Sequence, residues 1–223
     1  MAKQAKPCVL VTGFAPFGGE TINPSWEAVN QLEGLAIGRQ ESHIIHTKEL
    51  PCEFNSALDA LYQAIDKYHP SVVLCVGQAG GRSSISIERV AINVDDARIP
   101  DNAGNQPIDT PIVQDGPAAY FTALPIKRIL KTLQENGIPS EISNTAGTYV
   151  CNHVMYGLLH YFQSQQLSCQ GGFIHIPYLP SQAVHHSGAP SMSQEMVKKS
   201  LLAILNESLE YKPDLKISAG TTH

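Results

Sequence analysis

Hydrophobic residues occur in continuous runs at several points along the 223-residue chain, and elsewhere they alternate with polar residues. Runs without polar interruption are typical of strands that are buried on both faces of a sheet. Such runs predict strands at residues 8–12, 71–77 and 171–177. Residues 43–50 and 141–143 have strand character as well.

Helical periodicity separates these strands. Apolar side chains three or four positions apart predict amphipathic helices at residues 54–69, 126–136 and 193–209. Gly137 follows the second of these helices as its natural C-terminal stop. Because strands alternate with helices, parallel βαβ units and an α/β fold are expected.

A strand that contains one acid among apolar residues follows the apolar run at residues 71–77. Residues 85–93 alternate in polarity, which predicts a single strand. In that strand Glu88 shares a face with Val90 and Ile92. A carboxylate between apolar neighbours needs a partner to stay charged. The ordinary alternative is a half-exposed glutamate on an edge strand.

A candidate nucleophile lies where a small, polar, turn-forming segment, residues 143–148, leads into another helical pattern. Apolar residues recur at helical spacing from Val150 to Tyr161, so Cys151 lies in the first turn of a predicted helix. Free backbone N–H groups and the helix dipole lower the pKa of a thiol at such a position. The alternative is that Cys151 is one more small buried hydrophobic residue.

Nine histidines are available to activate this thiol. His153 lies two residues further on, about 200° around the helix axis from Cys151. His175 lies within an apolar strand, where a histidine bound to a backbone carbonyl is the default. A thiolate–imidazolium pair, however, requires a buried imidazole oriented by a carboxylate. Glu88 is the strand carboxylate that could take this third role.

Composition and charge restrict the possible partners. The net charge of −5 argues against nucleic acid or an anionic membrane as the main partner. No apolar run approaches the ~20 residues of a transmembrane helix, and the N-terminal residues lack a signal-peptide core. Five cysteines without a CxxC pair suit a reducing cytoplasm. One catalytic domain over residues 1–223 is expected, with residues 212–223 as a flexible tail.

Two glycine-rich loops, residues 13–20 and 77–82, follow predicted strands. Neither contains a GxGxxG or P-loop pattern. The first loop carries Phe14 and Phe17, which either fold over the core or wall a pocket at the C-terminal end of a strand. The acidic loop at 95–107 lacks the ligand pattern of a calcium site, so no metal is expected.

Four parts of the chain together resemble the signatures of the pyroglutamyl-peptidase (pyrrolidone-carboxylate peptidase) family. Residues 12–25, from Thr-Gly-Phe to Asn-Pro-Ser, are similar to its opening signature, and residues 77–102 to the segment with its catalytic glutamate. Residues 143–153 resemble the nucleophile signature and residues 173–177 the histidine signature. The resemblance covers nearly the whole chain, in order, up to about Tyr211.

The resemblance implies a three-layer α/β/α sandwich around a mixed, mostly parallel twisted sheet. It implies a cysteine exopeptidase that removes N-terminal pyroglutamyl residues from peptides without a cofactor. Cys151 would be the nucleophile, His175 the general base and acid, and Glu88 the residue that orients the imidazole. The Cys151 N–H and Arg98 would hold the oxyanion. A homo-oligomer, a dimer or tetramer, is also implied, with loop 101–107 as a candidate contact surface.

Substrate specificity has a physical cause in this interpretation. Pyroglutamate is a lactam whose nitrogen carries no charge, so an apolar pocket can desolvate it at low cost. A free N-terminal glutamate, glutamine or proline brings a charged amine and is expected to be rejected. The expected pocket residues are Phe14, Phe17, Ile99 and Val150, with Gln78 as a hydrogen-bond partner.

The residues alone leave two alternative functions open. A nucleoside-phosphorylase-like enzyme would use the glycine-rich loops to hold phosphate, and Cys151 would be dispensable. A non-catalytic pyroglutamyl-binding protein would keep the pocket but show no thiol-dependent turnover.

Overall fold

The computed structural model describes residues 6–220, which form nine strands and six α-helices. The strands are β1 (Cys8–Phe14), β2 (Ala36–Ile37), β3 (His43–Leu50), β4 (Val72–Gln78), β5 (Ile85–Glu88), β6 (Val90–Ile92), β7 (Ala119–Phe121), β8 (Ser140–Ser143) and β9 (Gln170–Ile176). The helices are α1 (Pro24–Val29), α2 (Ser56–Tyr68), α3 (Ile126–Glu135), α4 (Val150–Ser164), α5 (Pro180–Ala183) and α6 (Gln194–Ser208).

Seven strands form one mixed sheet in the order β2-β3-β1-β4-β9-β5-β8. The neighbours from β3 to β9 are parallel, and so is the pair β5 and β8. Only β2 against β3, and β5 against β9, are antiparallel within this sheet. The expected mixed, mostly parallel α/β fold is therefore confirmed. The carboxyl ends of β1, β3, β4 and β9 share one edge, where such sheets carry their binding sites.

Strand β1 shows how the layers arise from the apolar pattern. All of its residues are buried, and alternate side chains enter two different cores. Val9 and Val11 pack in the core that contains residues of α1, α3 and α6, whereas Leu10 packs in the core that contains residues of α2 and α4. Helices thus cover both faces of the sheet, which gives three layers.

The segment predicted as one strand over residues 85–93 is two strands in different sheets. After Glu88 the chain leaves the main sheet, and β6 pairs with β7 in a separate two-stranded ribbon. The side chain of Asn152 holds β6 to α4, since it accepts from the Ile92 N–H and donates to the Ile92 carbonyl. Glu88 itself is fully buried, so the alternative of a half-exposed edge-strand glutamate is wrong.

The C-terminal segment contacts helix α3 without forming a helix or strand of its own. The Asp214 carboxylate accepts the backbone N–H groups of Lys127 and Arg128 in the first turn of α3. The Ala219 carbonyl accepts hydrogen bonds from the side chains of Arg89 and Lys127. Residues 221–223 of the expected tail lie outside the described residues.

Candidate active site

The sheet and helix α4 bring the three predicted catalytic residues to one place. Ile85 and Ile87 of β5 face the core on the side of α1, α3 and α6, so Glu88 faces the opposite side, toward α4. His175, the penultimate residue of β9, pairs in register with Gly77 of β4. A methyl group added at Gly77 would come within 2.9 Å of the Cys151 sulfur, so the thiol lies directly over this strand pair.

A buried hydrogen bond joins the acid to the imidazole. Nδ1 of His175 lies 2.7 Å from Oε1 of Glu88, and both side chains are almost completely removed from solvent. Burial acts to raise the pKa of Glu88, but the hydrogen bond and charge of His175, the Ser143 hydroxyl and the charge of Arg82 outweigh it, so this pKa lies below its ordinary value. An ionised Glu88 fixes the proton of the imidazole on Nδ1 and leaves Nε2 as the proton acceptor.

Arg82 also belongs to the cluster around Glu88, although the sequence analysis assigned it no role. Its Nη1 donates to Oε1 of Glu88 at 2.7 Å, and its Nη2 donates to the Thr145 carbonyl at 3.3 Å. Its position after Gly80 and Gly81 was the only signal in the sequence. Such a signal does not distinguish an arginine that folds back onto the site from one in solvent.

The start of helix α4 leaves backbone N–H groups free beside the thiol. Tyr149 is the extended residue before the helix, and its side chain does not cap the helix. Its hydroxyl donates instead to the Pro100 carbonyl at 3.1 Å. Cys151 is the second residue of α4, so it lies in the first turn as predicted. It is partly exposed.

The expected lowering of the Cys151 pKa is not met. Burial raises the pKa of this thiol well above its ordinary value, and the charges of Cys52 and Glu88 act in the same direction. The Arg82 guanidinium opposes them but is outweighed. In the free protein the sulfur therefore carries its proton at neutral pH, and it needs a neighbouring base to become a nucleophile.

Three of the predicted pocket residues lie near the thiol, but they differ in how far they are buried. Phe14, Phe17 and Val150 pack in or against the apolar cluster that Cys151 also contacts. Phe14 and Val150 are buried in it, whereas Phe17 is only half-buried, with its ring 6.2 Å from that of Tyr149. Phe14 therefore belongs mainly to the core, and Phe17 is the aromatic that a ligand can reach.

The remaining predicted residues lie at the rim. Gln78 ends β4, and its side-chain oxygen accepts from Gln182 at 3.2 Å. Ile99 is half-buried in the segment that contacts Tyr149 through Pro100. Arg98 is exposed and has no hydrogen bond or ion pair with any residue between 6 and 220, so its guanidinium is not engaged elsewhere.

The acidic loop uses its carboxylates for its own structure. Asp95 bonds to Nδ1 of His153 at 2.7 Å, and Nε2 of His153 accepts the Asn55 N–H. Asp101 accepts the backbone N–H groups of Phe54 and Asn105. His153 is thus occupied away from Cys151. Among residues 6–220 no group of three or more histidine, cysteine or acidic side chains could hold a metal ion.

A thiol at a helix start, an imidazole and a buried carboxylate are the groups that define a cysteine hydrolase. A sequence profile described as pyroglutamyl peptidase matches residues 7–211. Pyrrolidone-carboxylate peptidases of Yersinia pestis and Yersinia pseudotuberculosis are 59% identical over 215 residues, 96% of this chain and 99% of theirs. The chain belongs to the pyroglutamyl peptidase family.

Solved structures of this family have the same fold. The crystal structure of pyroglutamyl peptidase I from Bacillus amyloliquefaciens superposes with a TM-score of 0.90 at 48% identity, covering 94% of this chain and 100% of that chain. A mutant pyrrolidone carboxyl peptidase from the hyperthermophile Pyrococcus furiosus gives 0.88 at 45%, covering 91% and 98%. No helix in the described part of this chain is long and apolar enough to span a membrane.

The raised pKa of Cys151 predicts how the thiol reacts with an alkylating agent. Because the thiolate fraction grows as pH rises toward a raised pKa, alkylation by iodoacetamide should accelerate about tenfold per pH unit up to at least pH 9. Mass spectrometry of the peptide that contains Cys151 measures this rate separately from the other cysteines. A rate that already reaches its plateau below pH 8 would instead indicate a preformed thiolate–imidazolium pair.

Proposed function

We propose that this chain is a cysteine exopeptidase that removes N-terminal pyroglutamyl residues from peptides through a thioester acyl-enzyme. The observation that carries the proposal is the buried 2.7 Å bond between Glu88 and His175 next to the Cys151 thiol, in a chain of the pyroglutamyl peptidase family. The whole chain acts as one catalytic domain, and no step requires a cofactor.

The chemistry proceeds in two halves. The Cys151 sulfur attacks the pyroglutamyl carbonyl carbon while His175 takes the thiol proton on Nε2. The imidazolium then protonates the departing amine, the C–N bond breaks, and a thioester remains. Water attacks this thioester with His175 as base, which releases pyroglutamate and returns the proton to sulfur. Glu88 stabilises the imidazolium in both halves.

We assign two donors to the oxyanion. The Cys151 N–H belongs to the first turn of α4, where backbone N–H groups have no partner inside the helix. Arg98 supplies the second donor, and its exposed, unengaged guanidinium is available for this role. Both groups stabilise negative charge that exists only after attack, so their effect falls on kcat rather than on binding.

The pocket selects the uncharged lactam. Phe17 and Ile99, which are half-buried, contact the ring, Phe14 and Val150 support them from the core, and Gln78 matches one of its polar groups. An ammonium group in the same place would lose its hydration without gaining a counter-charge, which costs several kcal/mol. Peptides with N-terminal pyroglutamate are therefore the substrates, and the residues that follow are not read by this pocket.

Neither alternative is supported by the comparisons, since the relatives and structures found are pyroglutamyl or pyrrolidone-carboxylate peptidases. A phosphorylase-like enzyme would depend on phosphate and tolerate the loss of Cys151. A binding protein would bind pyroglutamyl peptides without turnover. The assay below separates both from a peptidase.

Release of a fluorophore from a pyroglutamyl amide tests the proposal. Cys151→Ala should lose at least about a thousandfold in kcat, because the nucleophile is absent. The matched variant Cys169→Ala removes a cysteine that directly precedes β9 and should keep wild-type turnover. Arg98→Gln should lower kcat about a hundredfold with little change in KM, as expected for an oxyanion donor.

Prolyl and glutamyl amides serve as substrate controls in the same assay, with thiol reductant and chelator present. Strong preference for the pyroglutamyl amide supports the lactam pocket. Comparable cleavage of the prolyl amide would contradict it, and turnover that survives Cys151→Ala would mean that another residue is the nucleophile.

We also propose that the protein is a cytoplasmic homo-oligomer, a dimer or tetramer. All five cysteines are free, which suits a reducing compartment. Loop 101–107 is one candidate contact surface. The ribbon of β6 and β7 supports a second, because Val90, Ile92 and Phe121 share one face and Phe121 is 71% exposed.

Light scattering of the purified protein measures the oligomeric state directly. A mass of two or four times 24.2 kDa is expected, and Phe121→Glu should shift it toward one chain without loss of secondary structure. A wild-type mass of one chain at micromolar concentration would overturn the oligomer.

A further inference from the structure

Arg82 contacts both Glu88 and the segment that precedes helix α4. Its guanidinium donates to the Glu88 carboxylate at 2.7 Å and to the Thr145 carbonyl at 3.3 Å. Glu88 is fully buried, whereas the Arg82 side chain is 29% exposed. Thr145 lies in the turn that precedes the helix of Cys151. One cation therefore bridges the acid of the site and the segment that carries the nucleophile.

The oxygen of Glu88 that Arg82 contacts is the same one that His175 uses. Oε1 accepts from Nη1 of Arg82 and from Nδ1 of His175, each at 2.7 Å. A permanent positive charge bound to this oxygen opposes the arrival of a second positive charge on the imidazole. It also compensates the buried carboxylate, which would otherwise favour a protonated partner.

The groups that face Glu88 come from four other parts of the chain, one of which is the uncharged Ser143 hydroxyl of β8. His175 approaches from β9, Arg82 from the turn after β4, and the thiol of Cys151 from α4. Of these, only Arg82 carries a charge that does not change between pH 4 and pH 10. It is therefore the group able to set the balance between the neutral and the protonated imidazole.

Both ends of the bridge are held in place. The Arg82 N–H donates to the Ala79 carbonyl, and Gly81 adopts a φ of +90°, so a tight turn directs the arginine back toward the sheet. At the other end the Thr145 carbonyl also accepts from the Ser143 hydroxyl at 2.9 Å. The guanidinium therefore meets two acceptors whose positions the backbone already fixes.

We infer that Arg82 is a positioning residue whose charge opposes protonation of His175 and whose two hydrogen bonds hold the Glu88–His175 pair in place beside Cys151. A neutral His175 is required because the proposed mechanism needs it to accept the thiol proton. The inference rests on the proposed function for its kinetic consequence, but its effect on the imidazole exists without turnover.

Nuclear magnetic resonance of protein labelled with ¹³C-histidine tests the electrostatic part, with His175→Asn to assign the signal. Removing the arginine charge in Arg82→Gln should raise the pH at which His175 titrates by about one unit. The acid limb of the profile of kcat/KM against pH should move upward by a similar amount, and kcat/KM at neutral pH should fall about tenfold.

Arg82→Lys separates charge from geometry. A lysine keeps the charge but lacks the planar fork that reaches two acceptors. The His175 titration should therefore return close to that of the wild type, while kcat/KM stays well below it. Arg39→Gln is the matched control, since Arg39 pairs with Glu210 at 2.7 Å on the surface, and neither readout should change.

An unchanged His175 titration in Arg82→Gln would overturn the inference, whether or not activity falls. An unchanged kcat/KM in both Arg82 variants would equally remove the positioning role. If the wild-type protein showed no turnover, the proposed function would fail, and the titration alone would still decide the role of Arg82. If Arg82→Gln did not fold, a wild-type value of kcat/KM in Arg82→Lys would overturn the inference.

Discussion

The hydrogen bond between Glu88 and His175 is the constraint on which the rest of the site depends. A carboxylate with no solvent exposure is stable only if its charge is compensated by its neighbours. The imidazole and the Arg82 guanidinium provide that compensation at 2.7 Å each. Strand β5 runs antiparallel to β9 and ends at Glu88. This pairing places the Glu88 carboxylate next to the His175 imidazole.

The Cys151 thiol lies beside this pair and is enclosed by its surroundings. The Cys151 thiol lies over Gly77, where a larger residue would collide with the sulfur, and this enclosure raises the pKa of the thiol. A protonated sulfur is a weak nucleophile by itself, so in the proposed mechanism proton transfer to His175 and attack on the substrate carbonyl occur together. Helix α4 does not give the thiol a low pKa, and in the proposed mechanism its free N–H groups stabilise the oxyanion instead.

Much of the fold followed from apolar periodicity, because β1, β4, β9 and the longer helices each bury a regular pattern. The break after Glu88 did not follow, since it depends on the pairing of β6 with β7 and on the Asn152 side chain, both of which are distant in the sequence. The hydrogen bond of Arg82 to the Thr145 carbonyl joins distant parts of the chain as well, so it could not be predicted either. The residues alone made Cys151, His175 and Glu88 candidates, and the family resemblance joined them. The raised pKa of Cys151 could not be inferred, because enclosure depends on which side chains surround the sulfur.

Mass spectrometry of protein mixed with a pyroglutamyl amide and quenched in acid within milliseconds tests the central claim most directly. The account predicts a covalent adduct of one pyroglutamyl group on the peptide that contains Cys151, absent from Cys151→Ala and lost again as water completes the reaction. Substrate turnover without any adduct on Cys151, at times when product is already forming in a burst, would contradict the thioester route. An adduct on a different residue would contradict the assignment of the nucleophile.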